Sequence, residues 1–271
     1  QSPPRGNDMR DYYVSTSLDG LQAVFLDLDG TIYLGGELIP GALEFLDRCN
    51  NMGVARFFLS NNSSRSTSQY QKKLSGFNIE VKEDEILLST HDLLSWLEKN
   101  DVRDTYVVGT KGMCSMLEDA GIDVASSNPQ YVVLGYDTEV TYEKLVIASE
   151  HLHRGVPLVA SHPDIVCPSP DGGLPDVGAF LDLFKATTGV DAAHICGKPN
   201  PDMILHKIHE LGLDPTRCAM VGDRLYTDMR MAIDANVISI LVLSGEATED
   251  DVVAFDGDLY LVVGSIDDLL R

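Results

Sequence analysis

The chain has 271 residues, 44% of them hydrophobic and 23% charged, enough apolar mass for one large or two moderate cores. Its 42 acidic against 20 basic residues leave a net charge of −22, which argues against nucleic acid and anionic membrane surfaces as partners, because both need Lys and Arg to meet phosphate. No apolar run reaches the length of a membrane span, and the opening residues lack a basic-then-apolar leader pattern.

In chain order, residues 1–16 read as a tail, polar and rich in Pro and Gly over its first seven residues. Residues 22–28, QAVFLDL, form a short apolar run expected to be a strand buried on both faces. Pro40 and Gly53 bracket a helix in which Leu43, Leu46 and Cys49 share a face. ARFFLS, ending at Ser60, predicts a second strand. Trp96 and Leu97 fall in an amphipathic helix and read as core. Further strands are expected at YVVG, YVVLGY and LVASH, with helices over 142–154 and 178–189. Asn200 is placed to cap a helix carrying Ile204, Ile208 and Leu211 and ended by Gly212. CAMVG, ISILVL and LYLVV complete the strands, with a helix over about 227–235 and another starting in the acidic stretch 246–251.

Alternation of strand and helix at both ends of the chain predicts an α/β fold, a Rossmann-like parallel sheet with helices on its faces. The middle has the same grammar and is read as an inserted α/β domain over 86–188, leaving 17–85 plus 189–271 as the core. The five cysteines are odd in number and contain no Cys-x-x-Cys pair; they read as reduced, mostly buried thiols of a cytoplasmic protein. His151, His153, His206 and His209 lie in helical segments and read as surface residues, not zinc ligands.

Four polar clusters each follow an apolar run: Asp27-Leu28-Asp29-Gly30-Thr31, Ser60-Asn61, Gly197-Lys198-Pro199 and Gly222-Asp223 with Asp228. Ligands of open parallel sheets bind outside the carboxyl ends of strands, so distant stretches can serve one site. Two residues apart on a strand, Asp27 and Asp29 can point the same way. Carboxylates gathered without thiols or imidazoles suit a hard cation, magnesium above all. A nucleophilic carboxylate, a cation and donors for spreading oxygens are the needs of phosphoryl transfer.

With these motifs in this order, the chain resembles the haloacid dehalogenase superfamily, in its NagD-like, 4-nitrophenylphosphatase-like branch. Val24 to Thr31, Ser60 to Ser63, Gly197 to Pro201 and Gly222 to Asp228 carry the resemblance. It implies a magnesium-dependent phosphatase with Asp27 as nucleophile and Asp29 as proton donor and then base. Ser60 and the Asn61 amide would hold phosphoryl oxygens, Lys198 would neutralise charge, and Gly30 and Thr31 would line the substrate. Asp27, Asp223 and the Asp29 carbonyl would hold the metal, with Asp228 acting through its water shell. The second aspartate favours a phosphatase over a halide-displacing relative, which has no alkoxide to protonate. The inserted segment would be a cap that contacts the leaving group. There, Ser161-His162-Pro163-Asp164 stands where related caps carry Asn-Pro-Asp, so His162 is either a substrate contact or a loop cap. Ser169 to Gly173 would form part of the same rim. The implied partner is a small phosphorylated metabolite, and a homodimer through the cap is compatible with the resemblance. Two other readings are a phosphotransferase on the same residues and a non-catalytic metabolite-binding protein.

Overall fold

A computed structural model describes residues 19–169 and 171–270; the tail over 1–16 and Pro170 of the expected rim lie outside them. In chain order the main strands are β1 (Ala23–Asp27), β2 (Ala55–Ser60), β3 (Ile86–Leu88), β4 (Thr105–Val108), β5 (Tyr131–Leu134), β6 (Leu158–Ala160), β7 (Ala192–Ile195), β8 (Cys218–Gly222), β9 (Ile238–Val242) and β10 (Leu261–Val263). Two sheets result: six strands in the order β10-β9-β8-β1-β2-β3, and four in the order β7-β6-β5-β4. Every pairing from β10 through β2, and every pairing in the smaller sheet, is parallel. By contact density the chain divides into one unit that ends at Leu59 and resumes at Ile204, and a second over Ser60–Met203.

In the first unit β1 is buried at all five positions, as its unbroken apolar run requires. It lies between β2 and β8, with Asp27 opposite Leu59 and Leu26 opposite Val221. The strand order thus reverses at β1, and Asp27, Gly222 and Asp223 fall at the carboxyl ends of the strands flanking that switch. Helix α1 (Ala42–Asn51) buries Ala42, Phe45, Leu46 and Cys49 along one stripe, and Gly53, at φ +70°, supplies the left-handed turn that ends it.

The second unit is built on the smaller sheet, sandwiched between helices. Val107, Val133 and Val159 face Leu93 and Leu97 of α3 (Ser89–Lys99) and Met113 and Leu117 of α4 (Lys111–Asp119). Their neighbours Val108, Val132 and Leu158 face Ala148 and Leu152 of α5 (Tyr142–His153) and Phe184 of α6 (Val177–Thr188). That division is the period of two of a strand with both faces covered, and each such buried side chain contributes about 1.5–3 kcal/mol. Helix α2 (Thr67–Ser75), absent from the sequence reading, has an almost wholly polar sequence; a Ser66–Gln69 capping box starts it, and only Thr67, Tyr70 and Leu74 are buried.

One expectation is corrected. His151 is buried, with its ring centroid 5.5 Å from that of Tyr106, because α5 packs through Ala148, His151 and Leu152. Burial first, then Arg154, lowers its pKa. The helix expected over 227–235 is present, opening as a wide π-type turn, Leu225–Met229, before α7 (Arg230–Asp234). The helix expected to start in the acidic stretch 246–251 is α8 (Glu249–Ala254), which begins after a Thr248 cap. All five thiols are free. Among the described residues no helix is long and apolar enough to cross a membrane.

Candidate active site

In the first unit the carboxylates of Asp27, Asp223 and Asp228 are all buried, each with an oxygen within 4.8 Å of the others. Asp27 is the last residue of β1, Asp223 follows β8, and the π-type turn brings Asp228 back under that strand end. Gly222 makes the return possible, since a Cβ there would lie 2.5 Å from Cβ and Cγ of Asp228. The Arg224 amide donates to Asp228 Oδ2 at 3.2 Å.

Asp223 Oδ2 accepts from the Glu246 amide at 2.7 Å, and its buried Oδ1 has no hydrogen-bond partner among the described residues. Burial, then the neighbouring charges of Asp27 and Asp228, raise its pKa to about 9. An orphaned carboxylate oxygen in a buried cluster of acids fits a hard divalent cation with oxygen ligands. Those residues would hold it; the Asp29 side chain is exposed and stands outside the triad.

The loop after β9 completes this cradle. Ser244 Oγ donates to the Gly30 carbonyl at 2.6 Å, and the Ala247 amide donates to the Asp223 carbonyl at 3.0 Å. Gly30, at φ +84°, lies so close that a Cβ would come 2.7 Å from Asp223 Cγ and 2.9 Å from Gly245 Cα. At Gly245 a Cβ would lie 2.5 Å from the same Cγ. Replacing Gly245 with Ala should therefore displace Asp223, lowering turnover by about tenfold or more while costing about 1–3 kcal/mol of stability; kinetics beside thermal unfolding check both. The Thr31 hydroxyl is buried without a hydrogen-bond partner among the described residues.

The second unit carries the other predicted residues. Ser60 Oγ lies 2.9 Å from the Tyr70 hydroxyl and accepts from the Asn62 amide at 3.1 Å. The Asn61 side chain grips the Lys198 backbone twice: Oδ1 accepts from the Lys198 amide at 2.8 Å, and Nδ2 donates to its carbonyl at 3.0 Å. A buried Asp92, on α3, accepts from the Gly197 amide at 2.8 Å. Gly197, at φ +76°, approaches so closely that a Cβ would stand 2.8 Å from Asn61 Oδ1 and from the Ser161 carbonyl. Lys198 is itself buried, on a backbone held by Asn61 and, through Gly197, by Asp92.

His162 is fully buried. Its Nε2 lies 2.8 Å from Asp176 Oδ1, and its Nδ1 lies 2.9 Å from Ser161 Oγ and 3.5 Å from Ser89 Oγ. Asp176 also caps α6, accepting from the Val177 amide at 2.6 Å. Both ring nitrogens are thus engaged inside the unit. Asp92, Asp176 and the 244–247 loop were not found in the sequence. Asp176 before an apolar helix was legible as a cap, and Ser244-Gly245 after ISILVL as one more polar strand end; a buried acid within α3 leaves no such mark.

The family model for haloacid dehalogenase-like hydrolases matches residues 24–123, and a second, HAD-hydrolase-like model matches residues 195–269. The acid sugar phosphatase of Staphylococcus epidermidis is 35% identical over 235 residues, which cover 85% of this chain and 90% of that protein. Among solved structures, the 4-nitrophenylphosphatase of Thermotoga maritima superposes with a TM-score of 0.88 at 36% identity, over 93% of this chain and 97% of its own. NagD of Escherichia coli superposes with a TM-score of 0.84 over 91% of this chain and 97% of its own; at 24% identity it speaks to the fold alone.

Proposed function

Since the chain belongs to the haloacid dehalogenase-like hydrolases, as a phosphoric monoester hydrolase of the NagD and 4-nitrophenylphosphatase-like branch, we propose that it hydrolyses small phosphorylated metabolites by way of a phospho-aspartyl intermediate at Asp27, with magnesium as its cofactor. A carboxylate oxygen of Asp27 attacks phosphorus in line, and the bond to the leaving oxygen breaks. Asp29 gives that oxygen its proton. It then takes a proton from water, whose oxygen attacks the phosphorus of the acyl phosphate and releases orthophosphate and the Asp27 carboxylate. Exposure of the Asp29 side chain suits a group that must meet both leaving group and water.

The observation that carries this reading is the buried triad of Asp27, Asp223 and Asp228 with an orphaned oxygen on Asp223. When bound there, with the Asp29 carbonyl as a further ligand, the cation supplies charge neutralisation for the phosphoryl oxygens and a fixed template. Ser60, the Asn61 amide and Lys198 are assigned to the phosphoryl oxygens by motif order, and Gly30 and Thr31 to the lining of the substrate. Specificity is assigned to the inserted segment, 86–188, as a cap.

Acid sugar phosphatase, the name of the Staphylococcus relative, puts sugar phosphates first among candidate substrates, with nucleotides and aryl phosphates beside them. The test is orthophosphate release from such a panel with and without magnesium. Metal-dependent release ranked toward one class supports the proposal; a wild-type enzyme inert on every monoester while passing phosphoryl groups to added alcohols would replace it with a transferase.

A further inference from the structure

Resting on the assignment of Lys198 to the phosphoryl group, we propose that His162 and Asp176 form a positioning pair for Lys198. Asp176 holds the imidazole with its proton on Nε2, and the fixed ring sets the place of the Gly197–Lys198 turn.

Donor accounting around the ring specifies its tautomer. Asp176 Oδ1, 2.8 Å from Nε2, already takes the Val177 amide proton and as a carboxylate only accepts. Nε2 must therefore carry a proton, and in the neutral ring Nδ1 is then an acceptor. The Ser161 hydroxyl at 2.9 Å donates to it. Ser161 Oγ lies 2.9 Å from Ser63 Oγ, whose proton it can accept, and Ser63 Oγ accepts in turn from the Tyr136 amide at 2.8 Å. The relay thus runs one way from Tyr136 to Asp176, with each proton used once. Ser89 spends its proton on the Asn61 carbonyl at 2.7 Å and remains beside Nδ1 at 3.5 Å.

His162 borders the turn that carries Lys198 through its Cβ, and the anchored ring fixes where that Cβ stands. A Cβ on Gly197 would stand 3.0 Å from His162 Cβ and 2.8 Å from the Ser161 carbonyl, so the turn rests against this stretch of backbone with no slack. The Asn61 side chain, whose own carbonyl is bound by Ser89, clasps the Lys198 peptide. Losing the ring or its anchor lets that turn move while Lys198 keeps its charge. His162, Asp164 and Asp176 also have ligand atoms within 4.8 Å of one another. However, Nε2 and Asp176 Oδ1 are closed on each other at hydrogen-bond distance, so a cation there would have to break the pair.

The experiment is a double-mutant cycle on phosphomonoester hydrolysis, read beside the ¹⁵N spectrum of the His162 ring. His162→Ala and Asp176→Ala should each lower kcat by roughly 10- to 100-fold, as small misplacements of a working group do. Asp176→Asn, whose amide oxygen can still accept both protons, should stay within about threefold of wild type. In a Lys198→Ala background, His162→Ala should change kcat by less than about twofold, the signature of two residues acting through one group. A merely structural histidine would instead multiply its full effect onto the Lys198→Ala loss, and that result overturns the pair. So does a wild-type spectrum with the proton on Nδ1, whatever the activity. Should Asp27→Asn keep the wild-type rate while the cycle still shows coupling, the phosphatase mechanism fails and the positioning pair stands.

Discussion

Replacing Asp27 with Asn is expected to lower phosphomonoester turnover by about 10⁴-fold or more, the scale of removing an attacking nucleophile. The amide matches the carboxylate in size but cannot form the acyl phosphate. Folding should survive. Asp27 sits at the end of a fully buried strand, and its charge is among those that raise the pKa of Asp223; removing it relieves repulsion in the metal-free protein. Thermal unfolding of the metal-free variant should therefore begin no lower than that of the wild type, which separates lost chemistry from lost structure. Rapid-quench labelling gives a second readout: wild type should trap phosphate on Asp27, and the variant should trap none. Wild-type turnover in the variant would remove Asp27 from the role of nucleophile.

Removing the divalent ion should have the second largest effect. Chelation is expected to cut turnover by about 10³-fold, since several kcal/mol of charge stabilisation are lost with the cation. Stability carries an independent signature. In the metal-free protein the pKa of Asp223 is pushed up to about 9, against 3.8 for an ordinary aspartate. A raised carboxyl pKa means that the folded state binds the extra proton, so the slope of stability with pH is negative between those values. The contribution is fully present below 3.8 and is lost as pH rises toward about 9. Asp223→Asn removes the titrating group and should flatten that slope. Magnesium must displace the same proton, so its apparent affinity should rise with pH across the window. At a hundred times its dissociation constant it should stabilise wild type by about 2.7 kcal/mol and Asp223→Asn by much less. A metal-free wild type with no slope, or an Asp223→Asn protein that still responds fully to magnesium, would take the cation away from this triad.

Much of the site was readable because it depends on local order. Asp27 and Asp223 follow apolar runs, and such runs become buried parallel strands whose carboxyl ends must lie along one edge of the sheet. Gly30 and Gly197 stand at turns with positive φ, where the chain favours glycine. Helices were legible where a wide apolar stripe met a stop signal, as in α1, and illegible where the stripe was narrow, as in the polar α2. His151 was misplaced for a related reason. Its exposure depends on how far the packed face of α5 extends around the helix, and one polar residue at the margin does not reveal that.

What the sequence determined by itself, therefore, is the alternation of elements, the sheet they build, the order of the four polar strand ends and the carboxylate chemistry those ends can support. Tertiary structure alone decided which oxygen of Asp223 is left without a partner, that Ser244 and Gly245 close the cradle around it, and that Asn61 clasps the Lys198 backbone from 137 positions away. It also decided that His162 faces Asp176 within the second unit. Helix and strand periods are set by neighbouring dihedral angles and so leave a trace along the chain. A hydrogen bond between distant residues is set by the packing of whole elements, and a single sequence carries no mark of which buried donor will meet which acceptor.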